Sequence, residues 1–134
     1  MTTQTATLPS TQNDMLALTG RILIAAIFVL SGLAKFTDLT GTAAYVASAG
    51  LPAPTMAALG AALLETIGGI ALLIGFRTRL VAIALAAFTL VAAAFFHAHL
   101  GDQNQFIHFF KNVAVAGGLL QVAAFGPGRF ALTR

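Results

Sequence analysis

A chain of 134 residues with 58% hydrophobic and 8% charged side chains has too little charge to cover a water-facing surface, where about 25% is usual, so its solvent is lipid. The length suits one domain and not two. The net charge of +3 comes from basic residues dispersed along the chain, with no run to track a phosphate backbone, which excludes nucleic acid as a partner; the lack of cysteine excludes thiol–disulfide chemistry, thiolate metal sites and covalent haem attachment.

Met1–Asp14 is polar, rich in Thr and Gln and free of positive charge. It has no basic n-region of the kind a signal peptide shows, and it reads as a disordered leader. A bilayer core about 30 Å thick needs roughly 20 apolar helical residues, and four segments supply them, at about 16–34, 56–76, 80–100 and 106–126. The first connection, Phe36 to Thr55, is long, and Thr42–Ala49 within it has the makings of a short helix ended by Gly50 and Pro52. Tyr45 there suits the headgroup level. Gly75–Arg79 is a tight turn, Gly101–Gln105 a short polar one, and residues 129–134 form a cytoplasmic tail. No segment alternates as a barrel strand does, and a soluble bundle would need a polar face on each helix. The expected fold is therefore all-α: an integral membrane four-helix bundle over residues 15–128. Placing both termini inside puts Arg77, Arg79, Arg129 and Arg134 on the cytoplasmic face and leaves Lys35, Asp38 and Asp102 outside, as the positive-inside rule favours.

Arg21, Glu65 and Lys111 fall within the spans, where each costs roughly 2.5–3.5 kcal/mol near a helix centre. At about 1.5 Å of rise per residue, Lys111 lies roughly 8 Å below the outer boundary, Glu65 roughly 14 Å and Arg21 roughly 20 Å. Helical spacing groups Arg21, Ala25, Phe28, Gly32 and Lys35 on one stripe of the first span. Ala61, Glu65, Gly68 and Leu72 share a stripe of the second, and His108, Lys111, Val115 and Gly118 one of the fourth. Two expectations follow: a structural ion pair between Arg21 and Glu65, and a ligand-binding pocket in the outer half lined by Lys35, Glu65, His97, Lys111 and Asn112. Small residues at Gly32, Gly68 and Gly118 would leave the space. His97 and His99 face opposite ways on a continuous helix, so a metal set with His108 and Asp102, or a haem between His97 and His108, is a weaker reading than interfacial hydrogen bonding, and no metal is assigned. Without a nucleophile–base pair or a nucleotide loop, the chain is not expected to be catalytic alone.

An ordered set of residues also carries a family likeness. Arg21 leads to Ser31-Gly32-Leu33-Ala34-Lys35, then to Glu65-Thr66-Ile67-Gly68-Gly69, Leu73, Gly75, Thr78 and Arg79. His97 follows, then Phe110-Lys111-Asn112-Val113-Ala114, Gly117-Gly118-Leu119-Leu120 and Gly126-Pro127-Gly128-Arg129. From Leu16 onward this resembles the DoxX family of small bacterial inner-membrane proteins. The ending departs from it, with Gly128-Arg129-Phe130-Ala131-Leu132 where members often have Ser-Leu-Asp. The resemblance implies a four-helix membrane fold and a link to quinone-coupled oxidoreductases, because members look like a subunit of thiosulfate:quinone oxidoreductase. The implied cofactor is a bound quinone. The implied partners are the lipid bilayer and other membrane or membrane-associated proteins. Two alternatives stand beside it: a purely structural subunit of a larger complex, and a small-solute transporter or channel, for which no inverted repeat with broken helices is evident.

Overall fold

In hydrocarbon no water pairs with the backbone, so a spanning segment satisfies its amides only by its own i→i−4 bonds or in a closed barrel. The computed structural model, which describes residues 10–133, takes the helical solution throughout. Five helices make up the described residues: α1 Ser10–Thr37, α2 Leu39–Ser48, α3 Pro54–Ile74, α4 Thr78–Phe96 and α5 Gln103–Phe125. All but α2 are long and apolar enough to cross a membrane. Local chemistry sets several boundaries. The Asp38 carboxylate accepts from the Gly41 amide at 3.0 Å and starts α2. Asp102 does the same for α5, accepting from Asn104 at 2.9 Å and Gln105 at 3.2 Å. Pro54 opens α3, where its missing N–H costs nothing.

Some boundaries differ from expectation. Residues 10–14, assigned to the leader, are the first turns of α1, and residues 1–9 lie outside the described residues. At its other end α1 runs three residues past Ala34 to Thr37, so Lys35 belongs to the helix. α4 stops at Phe96, with His97 as its C-cap, four residues short of Leu100.

Antiparallel α1 and α3 form one close pair, α4 and α5 a second, and the two pairs meet more loosely along α3–α4 and α1–α5. Glycine makes the first pairing close. A Cβ on Gly32 would stand 2.7 Å from the Thr66 nitrogen, and one on Gly69 would stand 3.0 Å from the Val29 nitrogen. Only hydrogen fits where two helix backbones meet this way. Ala25, Phe28, Leu72, Ala82, Leu85, Ala86, Ala116 and Leu119 fill the core between the pairs.

The end of the bundle that carries the termini is organised by Arg21, which is only 1% exposed. Its Nη1 donates to the carbonyls of Leu72 at 2.9 Å and Leu73 at 3.0 Å, its Nε to the Pro127 carbonyl at 3.1 Å, and its Nη2 to the Phe130 carbonyl. The last carbonyls of α3 have no partner within the helix and concentrate the negative end of its dipole, so a cation is the natural cap. The chain after α5 then lies across that helix end. Leu132 N–H donates to Ile74 O and Thr133 N–H to Gly75 O, both at 3.0 Å, while the Arg129 amide donates to Asp14 Oδ1 at 2.9 Å. The expected tail is thus docked against the bundle as far as residue 133.

Replacing Arg21 with Met removes the donor to four carbonyls. It should lower stability in detergent by at least about 3 kcal/mol and speed tryptic cleavage after Arg129. Unchanged melting and unchanged cleavage would mean that the tail docks without the guanidinium.

Candidate functional site

Helical side chains lean toward the N-terminus of their own helix. Because α1 and α3 are antiparallel, Lys35 leans back into the bundle and Glu65 leans outward to meet it. The Lys35 Nζ lies 2.8 Å from Glu65 Oε2 and donates as well to Ser31 Oγ at 2.9 Å. Glu65 is buried, its side chain 8% exposed, and that of Lys35 is 26% exposed. The expected Arg21–Glu65 pair is therefore not formed. Gly32 sits opposite Thr66, and from Arg21 to Gly32 the helix rises roughly 16 Å. The lean of the two side chains widens that gap further.

Beside this ion pair the two helix pairs part, leaving a cavity of about 430 Å³ roofed by α2. Ile27 of α1 and Phe88, Val91 and Phe95 of α4 form apolar walls, and Tyr45 and Val46 of α2 close the top. Tyr45 stacks on Phe96 with ring centroids 5.1 Å apart, which ties the roof to the end of α4. Lys35, Glu65, His97 and Asn112 supply the polar lining. A smaller compartment of about 110 Å³ continues from Glu65 and Asn112 toward Phe28, Thr89 and Val115.

Four of the five expected ligand-binding residues are thus brought together. Lys111 is not. It is exposed, because α5 turns Asn112, Ala116 and Leu119 toward the bundle instead of the stripe through His108 and Lys111. The lean toward the start of α5 lets its ammonium reach the interface from that outer face. The glycines do not make the cavity either. Leu85 Cδ2 stands 3.0 Å from where a Cβ of Gly68 would be, Ile24 Cδ1 stands 3.3 Å from that of Gly118, and Gly32 is filled by Thr66. Sequence reasoning also missed Ser31 and the aromatic wall. The available signals were Ser31 one turn before Lys35, and Phe88 and Phe95 seven residues apart on one face of a helix.

The His97 ring stacks on His108 at 5.1 Å, and His99 is exposed. Burial lowers the pKa of His97 and the neighbouring His108 lowers it further, so the ring meets the cavity as a neutral donor or acceptor. Among the described residues no three side chains of His, Asp or Glu converge as metal ligands.

The ion pair is open to a double-mutant cycle. Lys35→Met and Glu65→Leu should show a coupling of about 0.5–3 kcal/mol in detergent melts, whereas Arg21→Met and Glu65→Leu should add to within about 0.5 kcal/mol. Coupling in the second cycle and none in the first would restore the partners expected from sequence.

The DoxX family model matches residues 16–98. The chain is 36% identical over 121 residues to the inner membrane protein YqjF of Escherichia coli (strain K12), covering 90% of this chain and 92% of that one. It is 36% identical over 126 residues to the inner membrane protein YphA of the same organism, covering 90% and 89%. A shorter match, 38% identical over 73 residues and covering 54% of this chain and 52% of the other, is to CatD of Bacillus subtilis (strain 168), named provisionally as an oxidoreductase. No solved structure matches significantly.

Proposed function

The chain belongs to the DoxX family and is a multi-pass inner-membrane protein, and from that premise we propose that it binds a quinone as the membrane subunit of a quinone-linked oxidoreductase system. The observation that carries this reading is the cavity under α2: apolar and aromatic along its walls, with an ammonium and an amide at its polar end. Its volume of about 430 Å³ falls in the range of about 300–1,000 Å³ usual for small-molecule sites. A quinone has a flat ring for Phe88, Phe95 and Tyr45 to hold and two carbonyl oxygens that only accept hydrogen bonds. Lys35 and Asn112 are suited to donate to them. Glu65 aims Lys35 through their 2.8 Å contact and places a carboxylate beside the ring. The quinone itself would carry electrons and protons to or from a partner enzyme. Ile27, Val91 and Phe95 are each about half exposed on the outside of the bundle, which gives a lipid-soluble molecule a sideways route from the bilayer. The oxidoreductase name of CatD agrees with this reading.

With both termini in the cytoplasm, which Arg77, Arg79 and Arg129 at the terminal end favour, the cavity belongs to the outer leaflet. A reporter active only outside the cytoplasm, fused after Arg134, should then be silent, and strong activity would invert the assignment.

The ligand is tested by mass spectrometry of an organic extract of the protein purified in mild detergent. Quinone should be enriched over an unrelated membrane protein. It should fall roughly tenfold in Lys35→Met/Asn112→Leu, as loss of a charge-assisted hydrogen bond predicts. Equal traces in all three samples would leave the structural-subunit reading.

A further inference from the structure

Arg77 and Arg79 serve the sequence argument only as markers of sidedness, yet the fold gives them a setting of their own. A groove of about 430 Å³ runs between α3 and α4, with Leu63, Ile67, Ala71 and Ala84 along it and Phe76, Arg77 and Leu80 at the terminal end. At Arg77 and Leu80 it meets a cleft of about 150 Å³, whose other lining residues are Thr78, Arg79 and Pro127. That cleft lies at the N-terminus of α4, which has no side-chain cap. The first bond of the helix runs from Val81 N–H to Arg77 O. The amides of Thr78, Arg79 and Leu80 therefore have no intrahelical acceptor, and the positive end of the helix dipole adds to them.

Three further observations point to an anion as the ligand. Thr78 is 3% exposed and lines the cleft, and its hydroxyl has no hydrogen-bond partner among the described residues. The ion pairs among the described residues are Lys35–Glu65 and Arg129–Asp14, so neither Arg77 nor Arg79 has a carboxylate there. Asp14, the acidic side chain at this end among the described residues, is already taken by Arg129. Phosphate oxygens suit free amides at a helix N-terminus and flanking guanidinium groups.

We propose that the α3–α4 groove and the cleft at its end form one site for an anionic phospholipid, its phosphate at the N-terminus of α4 between Arg77 and Arg79 and an acyl chain in the groove. The groove decides for a lipid over free phosphate. From the end of α3 at Ile74 back to Leu63 the helix runs roughly 16 Å, enough to take a chain to the middle of a core about 30 Å thick. The headgroup end coincides with the start of the α4 span at Thr78, where lipid phosphates lie.

The test uses the full chain, delipidated in neutral detergent and titrated with dioleoyl phosphatidylglycerol, dioleoyl phosphatidylcholine or inorganic phosphate. Bound lipid is read by native mass spectrometry and stability by thermal melting. Phosphatidylglycerol should bind at least about tenfold more tightly than phosphatidylcholine and raise the melting temperature. R77Q/R79Q should weaken it roughly thirty-fold, the loss expected for two surface cations, while R129Q leaves it within about twofold. Filling the groove with A84F should weaken both lipids alike. Should R77Q/R79Q fail to fold, R79Q alone should weaken phosphatidylglycerol about fivefold. The proposal is overturned if R129Q costs as much as R77Q/R79Q, which would mean diffuse attraction. It also fails if inorganic phosphate stabilises as well as the lipid, if the two lipids bind equally, or if A84F changes nothing.

Discussion

Four main-chain carbonyls converge on the guanidinium of Arg21, and the architecture turns on that convergence. A buried cation is costly in lipid. The cost is offset here because the group lies at the negative end of α3 and donates to Leu72, Leu73, Pro127 and Phe130. The same bonds join the first span, the second span and the chain that follows the last one. Since the α1–α3 and α4–α5 pairs otherwise touch loosely, this clamp fixes them to each other at the terminal end.

At the opposite end the space between the helix pairs is the cavity under α2. The short helix packs chiefly on α3 and is fastened to α4 by the Tyr45–Phe96 stack, so the separation becomes a roofed pocket and not an open cleft. The Lys35–Glu65 pair stands at its polar end, where each charge offsets the desolvation of the other. Both charged devices follow one directional rule. Side chains lean toward their helix N-terminus, and so Arg21 and Lys35 of α1 lean toward the terminal end while Glu65 of the antiparallel α3 leans the other way, which carries Arg21 away from Glu65 and brings Lys35 to it.

The two ends therefore differ in chemistry as well as in packing. The terminal end carries the docked tail and, beside the cleft at the start of α4, the cations Arg77 and Arg79. The α2 end is aromatic and encloses the polar group that a lipid-soluble ligand would meet. Small residues serve both ends by letting helices approach: Gly32 and Gly69 set the register of α1 on α3, and that register brings Lys35, not Arg21, to Glu65.

How much of this was legible in the sequence depends on whether a property is local. Four apolar stretches with few charges determine four spanning helices, because lipid leaves the backbone few other ways to pair. Asp38 and Asp102 mark helix starts by chemistry that acts within three residues. The inward stripes of α1 and α3 followed from helical period, since Arg21, Glu65, Gly32 and Gly68 break otherwise apolar surfaces. α5 is nearly uniform around its circumference, so nothing local distinguished the face of Asn112 from that of Lys111, and a rotation of one residue left the lysine outside. The partners of Arg21 were hidden for a different reason: they are main-chain carbonyls, which every residue carries, and only the fold determines which ones lack a donor. The cavity was least legible of all, because it is lined by no distinctive motif and exists only as a gap between helices that packing brings together.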